Sequence, residues 1–395
     1  MTEPEPLQQL DRTYVRFRRR KLSFFSGCDY FRLSSHPRLV AAFQNSAKRY
    51  GLSVAASRLT TGNHPVFVKL EQCLARFFEA PSALLVASGY QTNLVVAQAL
   101  AGEFSHALLD ERAHASLIDA AQFLNCPVLR YGHHDAVAVA KAVQRCGPAA
   151  RIILLTDGLF ASDGSVAPLA DYLKALPKDA MMLVDDAHGA GVIGRTGQGS
   201  LQHCGVGRSR IVQTITLSKA FGCFGGAILS PARLRERILE RSRLFMGCTP
   251  PPIPTACAAL EAIRLLRAPS RFRTRLAENI RRVREQLQAQ GIDLPENPGP
   301  MLGITPADAR QIRRLKQTLL AARIYPPYIQ YPGGPAGGSF RFVISSEHTR
   351  EQLDNLAGAL ATVLASPSPH HATPFPPPPL SRNDSIKPLI HANNR

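Results

Sequence analysis

At 395 residues and 45% hydrophobic, the chain exceeds one ordinary domain and can bury a substantial core, so one large and one smaller domain are expected. Lys plus Arg number 47 against 29 Asp plus Glu, a formal charge of +18 that favours anionic partners: nucleic acid, an acidic membrane or a phosphorylated small molecule. Eight scattered cysteines (28, 73, 126, 146, 204, 223, 248, 257) without a C-x-x-C pair, an acidic start with no signal-type apolar core, and no run near the roughly 18 apolar residues of a membrane span argue against a secreted disulfide scaffold and a spanning protein, so a soluble, cytoplasmic one is expected.

Residues 1–25 turn from polar to basic. Arg16, Arg18, Arg19, Arg20 and Lys21 interleave with Phe17 and read as a solvated helix face or as a basic arm toward an anionic ligand. Phe24 to Pro37 mixes turn residues with aromatics and is expected to dock on the main body, and Leu39 to Arg49 has helical periodicity. The stretch 53–64 is too rich in small and polar residues for core. A helix is predicted over 66–79, with Leu70, Leu74 and Phe77 or Phe78 facing inward, and a short buried strand over 83–87. That strand runs into Ser88-Gly89-Tyr90-Gln91-Thr92-Asn93 and a helix through Leu100. Such an arrangement aims backbone N–H groups and a positive helix end at an anion, although a plain tight turn fits the same residues.

Strand and helix keep alternating. Strands are predicted at 107–109, 126–131, 151–156, 181–185, 211–216 and 225–229, which argues for a largely parallel sheet covered on both faces. Polar clusters recur at strand ends, at 88–93, 110–116, 156–164, 185–189 and 216–219. In open α/β sheets ligands bind along that edge.

Two of these clusters carry the chemistry. The β-branched run Gln213 to Thr216 leads into Leu217-Ser218-Lys219, and Met181 to Val184 ends in Asp185-Asp186-Ala187-His188. An amine and a carboxylate at one sheet edge suit pyridoxal 5′-phosphate (PLP): the amine holds the aldehyde, and the acid keeps the pyridine nitrogen protonated. Taken alone, Lys219 also reads as a solvated lysine, Asp185 to His188 as a helix cap or half a metal site, and His114 as a structural histidine.

After Arg243 the pattern changes. Thr249 to Pro254 breaks the chain, and a long amphipathic helical region is predicted over 255–291. Residues 302–364 read as a small α+β unit, with a strand over 340–344 and a closing helix from Thr349 to Leu364. Arg341 alternates with apolar neighbours, so it faces the opposite side of its strand, toward an acid or simply solvent. From Ser366 a proline-rich tail is expected to be disordered. The boundaries that follow are an N-terminal arm and segment (1–45), a large PLP-binding domain (46–245), a small C-terminal domain (246–365) and the tail (366–395).

Together the motifs resemble the α-oxoamine synthase family of PLP enzymes over residues 24–365. The resemblance is carried by S-R-L-T-T-G (57–62), A-S-G-Y-Q-T-N (87–93), H-A-S-L-I-D-A (114–120), D-G-x-F-x-S-D-G (157–164), D-D-A-H-G-A-G-V-I-G (185–194), T-L-S-K-A-F-G (216–222) and E-H-T (347–349). It is nearest the oxononanoate synthase branch, through 185–200. It implies an α/β fold of type I, with a large, mostly parallel seven-stranded sheet domain, a smaller α+β C-terminal domain and a homodimer.

By position, the resemblance makes Lys219 the cofactor-holding lysine, Asp185 the partner of the pyridine nitrogen, His114 the ring stacked on the cofactor and His188 the partner of its phenolic oxygen. Gly89 and Tyr90 offer N–H groups, Thr216 bonds the phosphate, Ser162 stands beside a lost serine contact, and Arg341 holds the amino acid carboxylate. The implied reaction is decarboxylative condensation of a small amino acid with an acyl thioester, on CoA or an acyl carrier protein, giving an α-aminoketone; nucleic acid has no place in it, and no metal is called for. Departures from the family pattern fall at Phe67, Ala161, 246–249, 331–334 and Ser339. Another fold type I activity, such as an aminotransferase or a lyase, and a degenerate basic scaffold are the competing readings.

Overall fold

The computed structural model describes residues 5–267, 269–330 and 337–365; the proline-rich tail, the rewritten loop at 331–334 and the first residues of the acidic start lie outside these. The chain opens with strands β1 (Gln8–Gln9), β2 (Tyr14–Phe17) and β3 (Arg20–Ser23), an antiparallel three-stranded sheet. The basic stretch read as a helix face is therefore a hairpin. Val15 and Leu22 pair across it and are buried, while the arginines and Lys21 face out or form the turn, where Arg18 and Arg19 have φ of 46° and 63°. Two consecutive left-handed residues close a tight hairpin, which helical periodicity does not reveal.

Helices α1 (Pro37–Tyr50) and α2 (Pro65–Phe77) each start with a proline after a histidine whose ring accepts a backbone N–H. Between them the 53–64 stretch is more than surface. Arg58 is buried and pairs with buried Glu71 of α2; its Nη2 and Nε also donate to Asn63 Oδ1 at 2.9 and 3.2 Å. Glu71 Oε1 in turn accepts the Leu85 N–H at 2.8 Å. Gly62 fits because a Cβ there would lie 2.4 Å from the Ala56 carbonyl oxygen. Arg58→Ala leaves the buried Glu71 carboxylate short of its main partner, and is expected to cost about 3–5 kcal/mol, seen as an earlier urea midpoint.

The central sheet holds β4 (Ser82–Val86), β5 (His106–Asp110), β6 (Val128–Tyr131), β7 (Ile152–Asp157), β8 (Met181–Asp185), β9 (Ile211–Thr216) and β10 (Gly226–Ser230), in the order β4-β10-β9-β8-β7-β5-β6. Only β10 runs against its neighbours. β7, β9 and β10 are buried along their whole length, as sheets covered on both faces require. Helices α3 (Gly89–Ala99), α4 (Ala115–Phe123), α5 (Ala136–Cys146), α6 (Leu169–Ala175), α7 (Ser200–His203), α8 (Ala232–Arg241) and α9 (Arg243–Met246) connect the strands.

Strand alternation assigns each side chain to one of two cores. Ile153, Leu155, Leu183 and Val212 pack with Val95, Val96 and Leu117 of α3 and α4. Their neighbours Leu154, Met182 and Val184 pack on the other face with Tyr172 of α6. Two residues past Leu155, Leu183 and Val212 come Asp157, Asp185 and Thr214, with Thr216 two further on, and period two places all four on the α3–α4 face.

The helical region predicted over 255–291 consists of two helices, α10 (Ile253–Leu266) and α11 (Arg271–Gln288), with Pro269 in the break because proline cannot continue a helix. The C-terminal part adds β11 (Met301–Ile304), α12 (Ala309–Ala321), β12 (Tyr328–Ile329), β13 (Ser339–Val343) and α13 (Arg350–Leu364), with antiparallel order β11-β13-β12. Thr349 caps α13 in a capping box with Gln352. His348 ties this part to the N-terminal segment: its Nδ1 accepts the Ser345 N–H at 2.9 Å, its Nε2–H donates to the Phe24 carbonyl at 3.1 Å, and its ring stacks on Phe25.

Candidate active site

The strand ends converge as the alternation predicts. Asp157 and Asp185 are direct register partners on β7 and β8, and Asp185 pairs with Thr214 of β9. Asn93, on the inward face of α3, joins them. Its Nδ2 donates to Asp185 Oδ2 at 2.6 Å and to Ser116 Oγ at 2.9 Å, and its Oδ1 accepts from Thr214 Oγ1 at 2.7 Å. The Ala187 N–H reaches Asp185 Oδ1 at 3.0 Å. Asp185 is thus a buried carboxylate with both oxygens engaged by donors. Asp157 differs: burial first, then the Asp185 carboxylate, push its carboxyl well above the usual range, partly offset by the His114 N–H at 2.8 Å. One acid of the pair has both oxygens held by donors, and the other is pressed toward its neutral form.

His114 caps α4. Its Nδ1 accepts the Ser116 N–H at 3.2 Å and lies 2.8 Å from Ser116 Oγ, so the ring proton sits on Nε2. Burial lowers its pKa, with a further push from Lys219 against the pull of Asp185. Lys219 follows β9 on a loop pinned by backbone: Leu217 N–H to the Gly225 carbonyl at 2.8 Å, Ser218 N–H to Thr216 Oγ1 at 3.1 Å and Gly222 N–H to the Lys219 carbonyl at 2.9 Å. Burial lowers the Lys219 pKa, opposed by Cys28, Asp185 and Asp157 and reinforced by Arg341. Its Nζ lies 2.6 Å from His188 Nε2, and His188 Nδ1 lies 2.6 Å from the Tyr30 hydroxyl. Burial and then the nearby Lys219 charge hold the His188 pKa well below its ordinary value, so the ring is neutral.

Arg341 lies on the face of β13 opposite Phe340 and Phe342, both fully buried. It makes no ion pair with a carboxylate among the described residues; its charge bears instead on Tyr30, His188 and Lys219. At the start of α3, Ser88 caps the helix by accepting the Gln91 N–H, and Gly89 packs directly against Thr216. A Cβ on Gly89 would lie 2.6 Å from Thr216 Cβ, so only glycine allows this approach. The Tyr90 ring stands edge-on to His114 at 5.9 Å and its hydroxyl bonds Asp119. The loop at 246–249 reaches the same helix end, where Gln91 Nε2 donates to Cys248 Sγ at 3.4 Å.

Lys219, Asp185, His114, His188, Thr216, Gly89, Tyr90 and Arg341 thus gather at one edge. Ser162 does not join them. It is exposed, its hydroxyl makes no hydrogen bond among the described residues, and its carbonyl rather than its side chain packs closely, against Gly303. Phe67 is a core residue, under the Arg58 guanidinium, which accounts for an apolar ring at that departure. Tyr30, Asn93, Ser116, Asp157 and Thr214 are site residues to which sequence reading assigned no role. Counting back in twos from Thr216 reaches Thr214; nothing local marks Tyr30.

The donor set suits PLP: a lysine for the aldehyde, a carboxylate for the ring nitrogen, and for the phosphate a glycine-opened helix start with a threonine hydroxyl. Residues 28–360 match the family Aminotransferase class I and II. A putative 8-amino-7-oxononanoate synthase of Desulforudis audaxviator is 35% identical over 361 residues, covering 91% of this chain and 94% of its own. The 8-amino-7-oxononanoate synthase of Thioalkalivibrio sulfidiphilus is 36% identical over 344 residues, 86% of this chain and 88% of its own. Serine palmitoyltransferase of S. paucimobilis, in a structure with PLP and myriocin bound, superposes with a TM-score of 0.85 at 26% identity, covering 92% of this chain and 93% of that one. The 8-amino-7-oxononanoate synthase of Francisella tularensis superposes at 0.74 with 25% identity, covering 86% and 97%. Likeness in sequence and likeness in shape agree: the chain belongs to the aminotransferase class I and II family, on its α-oxoamine synthase branch.

Proposed function

We propose that the protein is a PLP-dependent acyltransferase that condenses a small amino acid with an acyl thioester, releasing carbon dioxide and a thiol and leaving an α-aminoketone, in the manner of an 8-amino-7-oxononanoate synthase. The observation that carries this reading is the half-buried Lys219, whose amine is close enough to feel Asp185 and Asp157, at the edge where Thr216 meets the α3 N-terminus. Bound there, PLP supplies an electron sink for the carbon that loses its proton.

The remaining roles belong to the chain. Asp185, its carboxylate fixed by Asn93 and the Ala187 N–H, would hold the ring nitrogen. His114 would pack on the ring, His188 would hold the phenolic oxygen, and Gly89, Tyr90 and Thr216 would hold the phosphate. Arg341, without a carboxylate of its own among the described residues, binds the amino acid carboxylate bidentately. Lys219, its pKa lowered by burial, is the group that takes and returns the proton at the α-carbon. The formal charge of +18 suits an acyl donor on phosphate-bearing CoA or an acidic carrier protein.

We further propose a cytoplasmic homodimer built on a large PLP-binding part and a small C-terminal part. Val40 and Phe43 on α1 and Phe224 beyond the Lys219 loop are exposed apolar residues that support a second copy. Among the described residues no helix is long and apolar enough to cross a membrane.

The test is a screen of glycine, alanine and serine against acyl-CoAs of graded length, reading thiol release by the purified, PLP-loaded protein. Thiol release that needs both substrates is expected. Amino group transfer or carbon–carbon cleavage without thiol release would replace this reading with an aminotransferase or lyase.

A further inference from the structure

Both nitrogens of His188 are used, one by Lys219 Nζ and one by the Tyr30 hydroxyl, each at 2.6 Å. A neutral imidazole carries a single N–H, so its two nitrogens play opposite parts. Two arrangements satisfy all three side chains. In one, a charged Lys219 donates to Nε2, and Nδ1–H donates to the Tyr30 oxygen. In the other, an uncharged Lys219 accepts from Nε2–H, and the Tyr30 hydroxyl donates to Nδ1. A phenol serves both because it donates and accepts equally well.

We propose that Tyr30 is a positioning residue that lets His188 exchange tautomers as Lys219 changes charge, so that the amine is supported in both of its states. The proposal rests on the reading of Lys219 as the reactive amine. Between the two arrangements no charge is left on His188 or Tyr30: the proton lost from Lys219 appears in solvent, and the N–H moves from one side of the ring to the other.

The surroundings favour this role. Tyr30 is fully buried, and burial and then the Cys28 thiol keep its hydroxyl protonated far above the ordinary range. The groups bearing on Lys219 are Cys28, Asp185, Asp157 and Arg341; those bearing on His188 are Lys219, Arg341 and His114; those bearing on Tyr30 are Cys28 and Arg341. The backbone, not the hydroxyl, anchors Tyr30: its N–H donates to the Cys28 carbonyl at 3.0 Å and its carbonyl accepts the Ser346 N–H at 2.9 Å. Tyr30→Phe therefore keeps the ring in place while removing the partner of Nδ1 and the hydroxyl's own contact with the Cys28 thiol. An orphaned buried N–H is disfavoured more than an orphaned lone pair, so the variant holds the proton on Nε2 and favours uncharged Lys219.

The experiment uses the full-length apoprotein and its Tyr30→Phe variant, with PLP as the probe. The rate of PLP attachment, followed by visible absorbance, rises with pH as Lys219 loses its proton. The variant's midpoint is expected about one pH unit lower, a tenfold shift in the charged-to-uncharged ratio. In parallel, ¹⁵N spectra of the histidines, assigned with His188→Asn, should show the His188 proton changing nitrogens across that pH range in the parent and fixed on Nε2 in the variant. An unchanged or raised midpoint, with His188 still exchanging in Tyr30→Phe, overturns the proposal. If PLP fails to attach to Lys219 in the parent, the functional reading itself falls and this inference with it, an outcome distinct from attachment with equal midpoints.

Discussion

Lys219→Ala is expected to lower condensation turnover by at least about four orders of magnitude, the upper part of what a positioned proton-transferring group supplies, since the same side chain is also proposed to hold the cofactor. The loss is chemical rather than structural. The loop from Thr216 to Gly222 is held mainly by hydrogen bonds that use backbone or the Thr216 hydroxyl, and the amine adds only its contact with His188. Removing the amine frees His188 Nε2, and that ring keeps its Tyr30 contact. The variant should therefore unfold near the parent's midpoint and yet show neither thiol release nor the visible band of covalently held PLP. An unchanged band in Lys219→Ala contradicts the assignment.

Asp185→Asn is the second large effect. The substitution keeps shape and one acceptor oxygen but removes the carboxylate proposed to hold the ring nitrogen, and turnover is expected to fall by about 10²–10⁴ with weaker PLP binding. Stability should move the other way. Asp185 and Asp157 are register neighbours on one sheet face, and the Asp185 carboxylate is a main reason why Asp157 resists ionisation. Relieving that repulsion is expected to raise the thermal midpoint of the apoprotein while activity falls, as when a site is kept for its chemistry at a cost in stability. Thermal melts without cofactor, alongside turnover with it, check both signs. A variant both active and less stable would show that Asp185 serves packing instead.

Much of this site could be read from the chain because its parts are local. Each strand is a short apolar run, each ends in a polar cluster, and period two then carries Asp157, Asp185, Thr214 and Thr216 to one face. Lys219 and Asp185 could be paired before any coordinates for that reason. Tyr30 could not: it meets His188 across 158 residues of sequence, and its own neighbourhood reads only as aromatics near a turn. Asn93 stood within a recognised motif, but its three bonds join helix to two strands and a second helix, a convergence that no single segment displays. The N-terminal hairpin was missed because its strands are four residues long and arginines, not Asn-Gly, occupy its left-handed turn. Pro269, by contrast, was a visible signal; the charged, leucine-rich pattern on either side hid the break. Ser162 shows the limit of reasoning by position: the loop after β7 turns its carbonyl, not its hydroxyl, into the packed interior.

The account stands on where PLP attaches. The protein should be loaded with PLP, reduced with borohydride to fix any imine, digested and mapped by mass. One pyridoxyl group per chain, on Lys219, is the result expected, with the mark absent in Lys219→Ala. A mark on another lysine, or none on a protein that releases thiol, would contradict it.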